Sequence, residues 1–261
     1  RYGLAGAGTQ TAALGFGGYT GTAVTESYNG TSWTEVNDLN AARGYLAGAG
    51  TQTAALAFGG FIPPSTAATE LWNGTNWTAV NAMNTARYSL AGCGTNTAAL
   101  AFGGNNPAVA NTESWNGTNW TEVNDLNTAR NNLAGAGTNT AALAFGGNGP
   151  PITAITESWN GTNWTEVNDL NTARYTLGGA GTNTAALAFG GYAPSVPGKT
   201  GVTESWNGTN WTEVADLGTA RYSLAGAGTN TAALAFGGTP PTTAATEEWN
   251  DGPQVRTIDT D

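Results

Sequence analysis

The feature that most constrains this chain is an internal repeat of about 44 residues that occurs six times. The motif Ala-Phe-Gly-Gly, or Gly-Phe-Gly-Gly in the first copy, recurs with its aromatic residue at Phe16, Phe58, Phe102, Phe145, Phe189 and Phe236. Each copy opens on an arginine, and these are Arg1, Arg43, Arg87, Arg130, Arg174 and Arg221. A repeat of this length cannot bury both of its faces alone, so neighbouring copies must stack to form a core.

Each repeat contains four strand-length segments separated by turn residues. In the third repeat these are residues 90–94 (strand a), 98–102 (strand b), 112–115 (strand c) and 120–123 (strand d). Gly-Thr-Asn-Thr joins a to b, and Asn-Gly-Thr-Asn joins c to d, where Asn-Gly supplies the positive φ of a tight hairpin. Four strands at this period are typical of a propeller blade. The sequence therefore predicts an all-β, six-bladed β-propeller with four antiparallel strands per blade, formed by residues 1–261 as a single domain.

The repeat resembles the kelch motif. Its markers are the Gly-Gly pair that closes strand b, an aromatic residue in strand c, a Trp five residues later and a following Arg. The strand c aromatics are Tyr28, Trp72, Trp115, Trp159, Trp206 and Trp249. In strand c, five repeats carry Trp where kelch units commonly have Tyr, and the first repeat has Tyr28. The last repeat lacks the second Trp and ends Gln-Val-Arg-Thr-Ile at 254–258, which is predicted to be a divergent outer strand.

The predicted blades cover about residues 1–39, 40–83, 84–126, 127–170, 171–217 and 218–261. Propellers of this kind often complete one blade from both chain ends, but a unit that starts with an inner strand at an Arg is also compatible with six sequential blades. The sequence opens in mid-motif without Met, so we expect it to be part of a larger protein or assembly.

Charge and composition exclude several partners. The net charge is -10 and no run of Lys or Arg occurs, so nucleic acid would be repelled and is not expected as a partner. No stretch approaches the roughly 20 apolar residues of a membrane helix, so membrane insertion is not expected.

Most charged and aromatic residues repeat with the scaffold and are interpreted as structural. Each opening Arg is matched by one strand c glutamate, which predicts structural ion pairs that hold blade to blade and that involve Arg43, Arg87, Arg130, Arg174, Arg221, Glu26, Glu70, Glu113, Glu157, Glu204 and Glu247. The tryptophans are expected to pack between sheets. Carboxylates three residues apart in the Glu-Val-Asn-Asp segments suggest a cation site, but repeat two has Ala79 and Ala82 there, so no metal is predicted and a solvated outer edge is favoured.

The chain has no histidine and one cysteine, Cys93, which stands where most repeats have alanine. The commonest general base, the usual metal ligand and any Ser-His-Asp or Cys-His arrangement are therefore missing. The kelch resemblance includes a copper oxidase, but its histidine ligands cannot be supplied here. We expect no cofactor, no catalytic residues and no enzyme activity. Glycoside hydrolysis by two carboxylates is the remaining enzymatic alternative.

Differences between the repeats are confined to two places. The b–c loops vary from six residues (19–24) to eleven (192–202) and contain nine of the ten prolines, whereas the a–b and c–d turns are nearly constant. The two residues after each Arg vary as well. Both places should emerge on one side of an up-and-down blade, which we call the loop face. The candidate ligand-binding residues there are Tyr2, Tyr45, Tyr88, Asn131, Asn132, Tyr175, Tyr222, Pro63, Pro107, Pro151, Pro194 and Pro240.

These observations favour a non-enzymatic binding or assembly module that recognises protein or glycan through its loop face. Near-identical repeats and an acidic composition suggest an exposed extracellular or virus-particle component. One alternative is a designed or consensus propeller without a natural partner, although unequal loops and a divergent last blade argue against it. A carbohydrate-active enzyme is the other alternative.

Overall fold

The computed structural model describes residues 1–19, 21–105, 107–195, 198–251 and 256–258. These residues form strands, turns and loops, and none of them belongs to a helix. Consequently, the described part of the chain has no helix of the length and apolarity needed to span a membrane.

The strands fall into four sets that correspond to strands a to d of the repeat. The a strands are β1 (Ala5–Gly8), β5 (Ala47–Gly50), β9 (Ala91–Gly94), β13 (Ala134–Gly137), β17 (Gly178–Gly181) and β23 (Ala225–Gly228). The b strands are β2 (Ala13–Phe16), β6 (Ala55–Phe58), β10 (Ala99–Phe102), β14 (Ala142–Phe145), β18 (Ala186–Phe189) and β24 (Ala232–Phe236).

The c and d strands complete the sheets. The c strands are β3 (Thr25–Tyr28), β7 (Thr69–Trp72), β11 (Thr112–Trp115), β15 (Thr156–Trp159), β21 (Thr203–Trp206) and β25 (Thr246–Asn250). The d strands are β4 (Trp33–Val36), β8 (Trp77–Val80), β12 (Trp120–Val123), β16 (Trp164–Val167), β22 (Trp211–Glu213) and β26 (Arg256–Ile258). A further short pair, β19 (Tyr192–Ala193) and β20 (Gly198–Lys199), lies within the fifth b–c loop.

Each blade is an antiparallel sheet with its strands in the order a-b-c-d. In the third blade Ala99 pairs with Gly94 and Trp115, and Trp115 pairs with Trp120. The predicted c and d strands have the bounds that the structure shows, while the predicted a and b strands each begin one residue later, at Ala91 and Ala99. The all-β, six-bladed prediction is confirmed.

The blades close into a ring through sequential blades. Each a strand contacts the a strands on both sides of it, and β1 contacts β23, so the first and last blades are neighbours. All four strands of every blade come from one continuous stretch, with β26 pairing on β25. Neither terminus therefore completes the other's sheet. The predicted outer strand of the sixth blade forms at Arg256–Ile258, whereas Gln254 and Val255 lie outside the described residues.

Neighbouring blades pack closely because glycine in each a strand leaves room for a phenylalanine of the preceding b strand. A Cβ atom added at Gly92 would lie 2.3 Å from Cζ of Phe58, and one added at Gly135 would lie 2.5 Å from Cζ of Phe102. The tryptophans join the same interface: the Trp120 ring centroid lies 4.9 Å from that of Phe58. Glycine at this position of strand a is thus a packing requirement of the ring.

The arginines and strand c glutamates form six ion pairs, but each pair lies within one repeat. Arg87 Nη2 lies 3.0 Å from Glu113 Oε1, and both side chains are almost fully buried. Arg87 also donates to the carbonyls of Gly103 and Asn111 of the same blade. Burial lowers the pKa of the Arg87 guanidinium, while Glu113 beside it acts in the opposite direction. The predicted pairs form, but each one joins two side chains of the same repeat rather than side chains of neighbouring blades.

The arginine main chain makes the link to the preceding blade instead. The amide N–H of Gly60, just after β6, donates to the carbonyl of Arg87 at 2.9 Å. Arg87 thus lies on the segment between two blades, with its backbone bonded to the second blade and its side chain inserted into the third. The same donor and acceptor positions recur at Gly104 and Arg130.

The structure changes one further interpretation, that of the aspartates, and places Cys93 in the core. The aspartates of the Glu-Val-Asn-Asp segments do not merely solvate an edge, because Asp125 Oδ1 accepts a hydrogen bond from the Thr112 amide at 2.9 Å. Asp38, Asp169 and Asp216 do the same in their blades. Cys93 is buried, and burial raises the pKa of its thiol to about 12.

Candidate functional site

The two variable places of the repeat meet at the same face of the ring. The residue after the opening Arg pairs with the first residue of the b–c loop in an isolated bridge, as for Tyr175 with Tyr192 and Tyr222 with Thr239. Where no bridge forms, a hydrogen bond joins the same positions, from the Tyr19 amide to the Tyr2 carbonyl at 2.8 Å. The structure therefore places the predicted tyrosines and asparagines beside the b–c loops.

The second residues after the six arginines form a closed cycle of hydrogen bonds around the axis of the central channel of the ring. We call this cycle the hoop. In each case the amide N–H donates to the carbonyl of the same position in the preceding blade, at 2.7–2.8 Å. The donor and acceptor residues of the hoop are Gly3, Tyr45, Ser89, Asn132, Thr176 and Ser223. The hoop joins blade to blade at the loop face, the role that the sequence had suggested for the ion pairs.

All six hoop residues have a left-handed backbone, with φ between 53° and 62°. This conformation is easy for glycine and tolerated by asparagine, but it is unfavourable for a β-branched residue such as Thr176. Backbone strain of this kind persists only when the surrounding structure fixes it, and it is concentrated at functional sites in proteins. The hoop is therefore a rigid frame for the side chains around it.

Aromatic side chains surround most of the channel mouth. Seven of the eight tyrosines of the chain lie at the loop face, and Tyr28 is the one in the core. Tyr19 lies between Tyr2 and Tyr45, with ring centroids 5.0 Å and 5.4 Å apart. Tyr192 similarly lies between Tyr175 and Tyr222, at 5.4 Å and 5.9 Å. Phe61 and Tyr88 form a further pair, at 5.0 Å.

Asparagines complete the mouth on the remaining side. Asn131 is buried, and its carboxamide nitrogen donates to the carbonyl of Asn105. Asn132 Nδ2 donates to Asn131 Oδ1 at 2.8 Å. The rim thus changes from aromatic rings to amide groups as it passes from the second blade to the fourth.

These side chains enclose a cavity of about 350 Å³ at the mouth. Its lining residues in the described chain are Tyr45, Tyr88, Ser89, Asn105, Asn131, Asn132, Asn148, Thr176, Tyr222 and Ser223. A smaller space of about 90 Å³ follows at the level of the hoop and of the leucines below it. None of the lining residues identified in these two spaces carries a charge. We call the larger space, of about 350 Å³, the mouth cavity.

Tyr45 differs from the other hoop residues because its ring reaches across to the first blade. A Cβ atom added at Gly3 would lie 3.0 Å from Cε1 of Tyr45, so glycine in the first repeat makes room for tyrosine in the second. Burial raises the pKa of Tyr45 to about 12, and the neighbouring Tyr2 and Tyr19 add to the shift.

The candidate prolines lie outside the mouth cavity. Pro63, Pro107, Pro151, Pro194 and Pro240 are exposed on the b–c loops, where they form an outer rim. Pro197, another loop proline, lies outside the described residues. The structure thus separates the candidate residues into an inner set that lines or borders the mouth and an outer set on the loop tips.

Sequence comparison between repeats missed one set of mouth residues. The residue immediately after the Gly-Gly pair is Tyr19, Phe61, Asn105, Asn148, Tyr192 or Thr239. Three of the six are aromatic and two are asparagine, which matches the character of the residues after Arg. This shared residue type directly after the Gly-Gly pair could have identified these mouth residues from the sequence. They were missed because each one is the first residue of a b–c loop, and these loops differ in length.

The titratable groups of the described chain offer little chemistry at the mouth. No group of three or more Asp, Glu or Cys side chains in these residues could hold a metal ion. All six strand c glutamates form ion pairs with arginine. The residues at the mouth can therefore stack on apolar faces of a ligand and form hydrogen bonds with its uncharged groups. Among the described residues, no carboxylate lines the mouth cavity.

No protein-family model and no curated protein matches this sequence. Among 399 matching chains of solved structures is one titled "Structure of YjhT", with a TM-score of 0.76 and 11% sequence identity. The match covers 99% of this chain and 97% of that chain. Likeness at this identity supports the six-bladed β-propeller fold alone, and this fold hosts many unrelated functions. The resemblance to kelch repeats rests on the repeat pattern.

Proposed function

We propose that this protein is a non-enzymatic binding module, kelch-like in its repeats, whose ligand docks on the loop face. The observation that carries the proposal is the mouth cavity, in which tyrosines and asparagines from different repeats converge on a frame held by the hoop. A site whose side chains are already positioned loses little entropy when it binds. The backbone of the hoop builds the frame, and the variable side chains around it supply the contacts.

The ligand class is a glycan or a protein, and the composition of the mouth favours an uncharged glycan. Tyrosine faces stack on the C–H surfaces of a sugar, and carboxamides donate to and accept from its hydroxyls. The lining identified for the mouth cavity, which includes Tyr88, Tyr222 and Asn132, has no ionisable group besides tyrosine. A protein ligand would instead use the exposed prolines of the outer rim, which are pre-ordered for contact.

The absence of enzyme activity is part of the proposal. It is supported by the engagement of the strand c glutamates with arginine and by the high pKa of the Cys93 thiol, which keeps this side chain a neutral core group. An exposed location, outside a cell or on a virus particle, is also proposed, and the net charge of -10 is compatible with it.

A glycan array tests the ligand class and the face together. The labelled protein is compared with a variant in which the third b–c loop, residues 105–111, is replaced by residues 19–24 of the first repeat, which removes Asn105 from the lining of the mouth cavity. The matched control replaces the c–d turn at 116–119, Asn-Gly-Thr-Asn, by the Asn-Gly-Thr-Ser of residues 29–32. We expect binding to be lost in the loop variant and kept in the turn variant.

The reverse pattern, with binding lost only in the turn variant, would contradict the proposal. Incubation of each bound glycan with the protein, followed by analysis for cleaved products, tests the non-enzymatic part. Hydrolysis that disappears on one Glu or Asp substitution would replace the binding module by a carbohydrate-active enzyme.

A further inference from the structure

A second space lies on the axis of the ring, directly below the mouth cavity, and has a volume of about 90 Å³. In the described chain it is lined by all six hoop residues and by the leucine that follows each of them in the sequence. These leucines are Leu4, Leu46, Leu90, Leu133, Leu177 and Leu224. We call this space the leucine chamber. The contacts proposed for a ligand in the mouth cavity leave it unused.

The hoop separates the leucine chamber from the mouth cavity. Five of its six residues, Tyr45, Ser89, Asn132, Thr176 and Ser223, line both spaces. The two spaces are therefore adjacent along the axis. A group that extends from a ligand in the mouth cavity toward the centre of the ring enters the leucine chamber.

Most polar groups of the hoop are already engaged within the protein. The amide N–H and the carbonyl of each hoop residue bond to neighbouring hoop residues at 2.7–2.8 Å. The Thr176 hydroxyl donates to the Tyr175 carbonyl at 2.6 Å, and Asn132 Nδ2 donates to Asn131 Oδ1 at 2.8 Å. The other polar side chains in the lining of the chamber are those of Tyr45, Ser89 and Ser223. A ligand group at this level therefore meets few free donors or acceptors.

The leucine wall of the chamber is apolar and fixed. Each of the six leucines is 5–8% exposed, so only a small part of it can face the chamber and the rest is packed between blades. Leu90, for example, belongs to the same buried cluster as Phe58, Met83 and Trp120. Close packing holds these side chains in place, so they cannot move inward and close the space.

The size and the lining of the leucine chamber favour a short apolar group. Its volume corresponds to about three waters at roughly 30 Å³ each, and a chain of about three carbon atoms occupies a similar volume. A buried water needs about two to four polar partners, and the leucine wall supplies none. Replacement of weakly held water by an apolar group increases affinity.

We propose that the ligand of the mouth cavity is a glycoside with a short apolar aglycone, of about three carbon atoms, that passes through the hoop into the leucine chamber. The sugar lies at the tyrosines and asparagines of the mouth, and the aglycone contacts the leucines. This inference rests on the proposed function and deepens it, because it names the class of glycan. It also assigns a second recognition site, whose contacts do not depend on the identity of the sugar.

The first test probes the leucine chamber without any sugar. Butan-1-ol is titrated into protein with isotope-labelled leucine methyl groups, whose NMR signals are assigned with Leu→Met variants, and butane-1,4-diol is the matched control. We expect saturable shifts at the six chamber leucines and none at Leu14, which is fully buried between blades. Because the second hydroxyl of the diol would face leucine, we expect the diol to bind at least about tenfold more weakly. No saturable shift at the chamber leucines would overturn the proposal.

A second test changes the hoop at Ser223, whose φ is 54°. Glycine and asparagine adopt this conformation readily and occupy the hoop at Gly3 and Asn132, so Ser223→Gly and Ser223→Asn are both expected to fold. The added carboxamide takes up space at the hoop and must lose its water when an apolar chain passes. We therefore expect Ser223→Asn to bind butan-1-ol at least about tenfold more weakly than Ser223→Gly. Equal affinities would contradict passage through the hoop.

A third measurement separates this inference from the proposed function. A glycan bound on the array is prepared as its methyl and its propyl glycoside, and calorimetry compares their affinities. Each CH₂ group that enters the chamber should raise the affinity about fourfold, so we expect the propyl glycoside to bind at least about tenfold more tightly. Equal affinities would overturn the aglycone and leave the loop-face binding module standing, whereas an array without any bound glycan would overturn both.

Discussion

Glu113 and Glu26 occupy the same position in two repeats but have different surroundings. Glu113 is buried, receives a hydrogen bond from Arg87 at 3.0 Å and binds the Asn84 amide at 2.7 Å. Within the described residues, the side-chain partner of Glu26 is Arg1 alone, and the Glu26 side chain is 36% exposed. A buried ion pair is expensive to break because one charge is left without a partner, whereas an exposed pair contributes little.

We therefore expect Glu113→Ala to lower the free energy of unfolding by about 3–5 kcal/mol, because Arg87 is left buried and unpaired. Glu26→Ala serves as the matched variant, and its cost should be about 0–1 kcal/mol. Urea denaturation of the two variants measures the difference. Equal losses would mean that burial does not control the contribution of this pair.

Tyr45 provides a pH-dependent prediction. Its pKa is raised to about 12 from the ordinary 10, so the folded state keeps the phenolic proton at a pH where the unfolded chain loses it. The contribution of Tyr45 to stability is therefore present below pH 10 and is lost as the pH rises from 10 to 12. In an absorbance titration of tyrosinate, Tyr45→Phe should remove a late step, near pH 12.

At the scale of strands and turns, much could be predicted because the turn residues fix the register. Asn-Gly in the c–d turn determines where strands c and d pair, and their bounds agree with the prediction. The ion pairs were harder to place. One Arg and one Glu in every repeat indicate which residue types meet, but identical copies cannot indicate whether Arg87 meets the glutamate of its own blade or of a neighbour.

The candidate site was predictable in location but not in detail. Comparison of the repeats identified the face and most of the inner residues, because variation is concentrated there. The hoop was not predictable, since it requires a left-handed backbone at Tyr45, Ser89 and Thr176, residue types that rarely adopt it. Only packing of six blades around one axis imposes that conformation.

The contact between strand a of one blade and strand b of the preceding one gives a prediction at the element scale. We expect Gly92→Ala to destabilise the protein by about 1–3 kcal/mol, because the new Cβ would overlap the ring of Phe58. In the double variant with Phe58→Leu, the smaller side chain should absorb part of the overlap. Thermal unfolding of both single variants and the double variant checks this, and strictly additive losses would contradict direct contact.

For the whole molecule, the interface between the sixth blade and the first is expected to open before the others, because Glu26 and Trp33 are more exposed there than the equivalent Glu113 and Trp120. Hydrogen exchange should therefore be faster at the β3 amides than at the equivalent β11 amides. Each 1.4 kcal/mol of lost local stability corresponds to about a tenfold faster exchange. Identical protection of the two strands would show that this exposure does not weaken the ring.

The hoop has a consequence for how such a gene can change its length. Its six hydrogen bonds are nearly equal, at 2.7–2.8 Å, so six copies meet without a gap or a stretched contact. Unequal recombination between near-identical copies readily adds or deletes one unit, but five or seven units would have to widen or narrow the angle between neighbours. The amide and carbonyl groups of the hoop would then no longer lie at hydrogen-bonding distance. A changed copy number would therefore lower the stability of the protein at the mouth, where the ligand is proposed to bind.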